Sequence, residues 1–141
     1  MRYTMILLAL LVAACGGDSN PVAPSATPPP ATISGNWSGT FTFTPVTGGQ
    51  RIVEAVTASF TQASGNVTGE VRHGNGGNTL VSGVVTSSTL TASVQFTGVT
   101  GCVGTASVSG SATATQLRFT IPTLASSQCN FFTNGEFVLN R

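Results

Sequence analysis

His73 is the only histidine in this chain of 141 residues, and the chain contains no lysine. Hydrolytic chemistry asks for a nucleophile, a base beside it and an acid to orient the base. Serine and threonine are abundant, so nucleophiles are not limiting. The base is the scarce part. His73 opens the run His73-Gly74-Asn75-Gly76-Gly77-Asn78, which reads as a flexible loop. The acids Glu54, Glu70 and Glu136 fall on separate stretches, and no aspartate follows Asp18. Glu54 lies in the inward phase near the start of a strand. That suits the rim of a barrel, since a lone buried carboxylate is costly. Nothing in the sequence suggests a carboxylate pair for glycosidase work, and no Cys-x-x-Cys motif exists for metal or redox chemistry. These residues supply no catalytic constellation, no metal site and no cofactor site, so an enzyme is not expected.

A different chemistry belongs to Cys15. Arg2 gives a short positive start, and Met5 to Val12 is an apolar run of signal-peptide length, short for a bilayer span. Val12-Ala13-Ala14 then places small residues directly before Cys15. This pattern resembles the lipobox of bacterial lipoproteins. The resemblance implies that residues 1–14 are a signal peptide, that the Cys15 thiol is diacylated and that the chain is then cut before it. The new amino terminus is then acylated too. More than one chain matters physically, because a single acyl chain holds a membrane only marginally. Gly16 after the cysteine implies, by similarity to enteric lipoproteins, sorting to the outer membrane. The expected location is therefore the cell envelope, facing periplasm or exterior, with the membrane as partner through the lipid.

Residues 15–33 read as the lipidated cysteine and a tether. Gly16 to Thr32 is rich in Pro, Ser, Ala and Gly, and Pro28-Pro29-Pro30 favours an extended rod. Without Arg2 the mature chain carries four arginines against four acids, scattered and close to neutral. No basic patch exists for nucleic acid.

Residues 34–141 read as one all-β domain. Gly35 to Thr44 alternates, with Trp37, Gly39, Phe41 and Phe43 on one face and hydroxyls on the other. Further strands are expected at about 52–62, 67–72, 79–86, 89–97, 102–109, 116–122 and 135–141. A two-residue Ser64-Gly65 loop sets Phe60 opposite Gly69 and Ala58 opposite Val71. The Ser87-Ser88 turn sets Val81, Gly83 and Val85 opposite Val94, Ala92 and Leu90, while Leu80 and Val84 point outward. Eight short strands with short loops and no helix predict an antiparallel up-and-down barrel, the alternative being a β-sandwich. Cys102 starts the sixth strand and Cys129 follows the seventh. Antiparallel neighbours bring those ends together in an oxidising compartment, so a structural disulfide is expected.

Gly35-x-Trp37 on the first strand of such a pattern resembles the lipocalin and avidin-like barrels. The resemblance implies that Trp37 plugs one barrel end and that an arginine from a late strand packs on it. Arg141 is the first candidate and Arg118 the second. The chain departs from those families in having no helix after the last strand and only one tryptophan, too few to line a biotin pocket. Architecture and plug are carried over, and no named ligand is. Two functions follow. A barrel interior lined by Phe41, Phe43, Phe60, Val94, Phe96 and Phe119 could take a small apolar ligand or lipid. Alternatively, a filled interior leaves a non-enzymatic structural or interaction protein of the envelope, and a monomer is expected in either case. The volume inside the barrel separates the two.

Overall fold

A computed structural model describes residues 28–98, 103–122 and 132–141. Cys15, Cys102 and Cys129, with the expected lipid anchor and disulfide, lie outside the described residues. Eight strands run β1 Gly35–Pro45, β2 Ile52–Ala63, β3 Asn66–His73, β4 Asn78–Thr86, β5 Thr89–Thr97, β6 Val103–Ala112, β7 Gln116–Ile121 and β8 Phe132–Asn140. Each pairs antiparallel with the next, and β8 returns to β1 to close the barrel. Closure gives each strand a hydrogen-bonded neighbour on both sides.

The alternation explains the wall. Most inward positions are apolar and buried, and outward ones carry most of the hydroxyls and charges. Ser64 and Gly65 both take positive φ, 49° and 87°, as a two-residue hairpin matched to strand twist requires. That turn fixes Phe60 opposite Gly69 and Ala58 opposite Val71. A Cβ at Gly69 would collide with the Phe60 ring. The β4–β5 hairpin sets Val81, Gly83 and Val85 opposite Val94, Ala92 and Leu90. Leu80 and Val84 are exposed on the outer wall.

Closure aligns aromatics from distant parts of the chain. Phe41 of β1 lies opposite Phe137 of β8, and Phe137 opposite Phe119 of β7. Their rings stack, with centroids 4.4 Å apart for Phe41–Phe137 and 4.8 Å for Phe119–Phe137. Phe132 packs edgewise on Phe41 and Phe96 edgewise on Phe132, and Gly135 supplies the room, since a Cβ there would stand 2.7 Å from Phe41.

Four local expectations are corrected. His73 belongs to β3 rather than to a loop, because the ladder continues to Val56↔His73 and the ring fits the interior. Asn78 likewise opens β4, opposite Arg72. β6 runs on to Ala112, whose N–H reaches Ser88 O at 2.8 Å, so the following turn is short. β8 starts at Phe132, three residues before Gly135, where a register shift opposite Thr42/Thr44 takes up the extra chain. Asn134 absorbs part of that irregularity at φ 52°.

Candidate functional site

Polar side chains gather at the two ends of the barrel. At the end where the chain enters, residues 31–34 cross the opening as a strap. Ile33 is fully buried, and Ala31 packs against the core. Gln62 holds the strap with its whole amide. Its Oε1 accepts from Ile33 N–H at 2.7 Å, and its Nε2 donates to Ala31 O at 2.9 Å. The Gln62 backbone N–H donates to Ser34 Oγ, and Ala31 N–H to Ser87 O.

Trp37 closes the opening beneath the strap. It is 3% exposed, and its indole N–H donates to Ile33 O at 2.8 Å. The structure places Arg141 directly over it, with the guanidinium carbon 4.6 Å from the ring centroid. Three Arg141 nitrogens donate to Thr32 O, Ser34 O and Ala114 O, each at 2.6 Å. One cation thus ties the strap, the β6–β7 turn and the tryptophan face together. Arg118, the other candidate, lies on the outer wall and donates to Glu136 at 2.7 Å. Arg51 approaches the same carboxylate at 3.9 Å.

The opposite end, here the mouth, holds a chain of three polar groups. His73 lies with its side chain fully buried between Glu54 and Thr79. Its Nδ1 is 3.2 Å from Glu54 Oε2, and its Nε2 is 2.9 Å from Thr79 Oγ1. An ionised carboxylate only accepts, so Nδ1 carries the proton and neutral Nε2 accepts from the Thr79 hydroxyl. Phe41, Phe96 and Phe137 pack edge-to-face around the ring at 5.2, 5.2 and 5.7 Å. Burial holds the His73 pKa below the usual histidine value, and Glu54 pulls it back up. The other Glu54 oxygen accepts from Asn75 N–H at 2.9 Å. An acid, a histidine and a hydroxyl in this order is the arrangement that activates a nucleophile. Here the hydroxyl is fully buried, out of reach of a substrate.

The interior residues named as ligand-binding candidates sit in the core. Phe41, Phe96 and Phe119 join the aromatic group around Phe137, and Phe43 stacks on Phe41 at 5.1 Å, half-buried. Phe60 packs separately over Gly69, and Val94 is buried opposite Val81 and Ala106. Shallow clefts of about 350, 340 and 290 Å³ open on the outer wall, beside Glu70 and Arg72, Arg51 and Glu136, and Arg72 and Gly74.

The sequence reading missed the Glu54–His73–Thr79 chain and the Gln62 clamp. A signal for the first exists. Glu54, His73 and Thr79 occupy the same inward phase as Val56, Val71 and Val81, and three polar residues at one level of a barrel must satisfy each other. Among the described residues, no three of His, Cys, Asp and Glu come together as a metal cluster. No protein-family model, curated protein or solved structure matches the chain.

Proposed function

We propose that this protein is a lipid-anchored domain of the bacterial envelope that acts through its outer surface, as a structural or interaction protein and not as an enzyme. The observation that carries the reading is the stack Phe41–Phe137–Phe119, which occupies the interior along β1, β8 and β7 with the protein's own rings. An apolar ligand inside would have to displace aromatics that are almost wholly buried. Burial of the Thr79 hydroxyl supports the non-enzymatic part. The lipobox pattern ending at Cys15 supports the anchor, and the strap supports a firm junction between tether and barrel.

Native mass spectrometry of the full chain, purified from its own membrane in mild detergent, tests this. The expected mass is that of the acylated chain alone. A further molecule of a few hundred daltons, released on denaturation and apolar in character, would replace this reading with that of a carrier.

A further inference from the structure

His73 is the hub of the barrel mouth. The β3–β4 turn, residues 74–77, hangs from it and from its acid partner. His73 N–H donates to Gly77 O at 2.9 Å, and Gly76 N–H returns to His73 O at 3.0 Å. Gly74 N–H donates to Ala55 O, Asn75 N–H to Glu54 Oε1 and Gly77 N–H to Asn75 Oδ1. Every amide from 73 to 77 is therefore engaged. The turn contains three glycines, Gly74, Gly76 and Gly77, so once untied it has little intrinsic stiffness.

We propose that His73 and Glu54 form a proton-operated latch, in which neutral His73 holds the β3–β4 turn against the mouth and protonated His73 releases it. The incoming proton goes to Nε2, the lone pair that now accepts from Thr79. Thr79 can reverse and accept from the new N–H, but its own hydrogen then loses its acceptor in a fully buried place. The imidazolium is also caged by Phe41 from β1, Phe96 from β5 and Phe137 from β8, which offer no solvation in place of water. Glu54 from β2 is the only charged group facing the ring among the described residues. Residues 99–102 and 123–131 contain no Asp, Glu, Lys, Arg or His. Glu70 and Glu136 are engaged elsewhere, with Arg72 and with Arg118 and Arg51. Glu54 alone therefore resists the release. The ring leaves its cage to be hydrated, and as the last residue of β3 it takes the turn with it. Release bares the edges of Phe41, Phe96 and Phe137, giving an apolar surface only in acid.

The direction follows from burial. The closed state binds a proton less tightly than the released state, whose histidine titrates near its ordinary value of about 6.5. Release is therefore favoured as pH falls below that value, by up to about tenfold per pH unit for one proton, until the closed-state pKa is passed.

Amide hydrogen exchange of the full chain, followed by NMR between pH 8 and pH 5 and corrected for intrinsic rates, tests the latch. Protection at residues 73–77 is expected to fall by more than tenfold over that range. Trp37, at the other end, reports on the rest of the barrel, and its emission and indole N–H protection should stay constant. Glu54→Gln removes the charge that holds the protonated ring in the closed state, so its release midpoint should move to higher pH. His73→Gln should show no pH-dependent release. Constant protection at 73–77, an unmoved midpoint in Glu54→Gln, or loss of the Trp37 signals in the same step would each overturn the proposal. The last would mean whole-barrel acid unfolding.

Discussion

Replacing Arg141 by alanine should loosen one end of the barrel while leaving the other intact. The side chain donates three charge-assisted hydrogen bonds to carbonyls of the strap and the β6–β7 turn. It is exposed, so water competes for every one of them, and about 0.5 kcal/mol each is the appropriate end of the range. The cation over Trp37 adds about 0.5–1 kcal/mol at an exposed site. Gln62 continues to hold Ala31 and Ile33, so burial of Ile33 is not forfeited with the arginine. The expected loss is about 2 kcal/mol in total. Urea unfolding followed by Trp37 emission measures it. With a slope of about 1 kcal/mol per molar for a small domain, the midpoint should fall by about 2 M. The native emission should also shift to longer wavelength, because the uncovered ring meets water. Arg141→Lys keeps the charge but cannot span three divergent carbonyls, so it should recover less than half of the loss. A midpoint within about 0.3 M of the parent, with unchanged emission, would falsify this account of the clasp.

Three further outcomes are expected. Phe137→Ala removes the central ring of the Phe41–Phe137–Phe119 stack and should cost about 3–5 kcal/mol, read by the same urea titration. A cost under about 1 kcal/mol would mean that the stack adds little to the core. Cys15→Ser should abolish acylation and leave the uncleaved or soluble chain in place of the lipid-modified one, as seen by intact mass and membrane fractionation. Oxidised full-length chain should lose 2 Da relative to the reduced form if Cys102 and Cys129 are bridged, and reduction should lower stability by about 3–4 kcal/mol on the chain-entropy estimate. An unchanged mass after oxidation refutes the pairing.

The strands and their faces could be read from residues 35–141 alone, because strand period is a local property. Trp37, Phe41 and Phe43 share a parity that turns all three toward the core. The hairpin registers were legible for the same reason. A two-residue turn at Ser64-Gly65 leaves one arrangement in which Phe60, Ala58 and their partners agree. The leader pattern up to Cys15 is equally local.

The tertiary structure decided what lies between distant strands. Closure of β8 on β1 is the step that sets Phe41 beside Phe137 and Arg141 over Trp37. Alternation fixes which face a residue takes and not which remote strand it meets, since that depends on barrel stagger. His73 shows the limit most clearly. Its glycine and asparagine neighbours speak for a loop, and only the ladder to Val56 and the paired levels of Glu54 and Thr79 draw it inside. A buried polar group is favourable only when its partners are present. Those partners come from β2 and β4, on either side of the strand that carries it, so its place could not be settled by that strand alone.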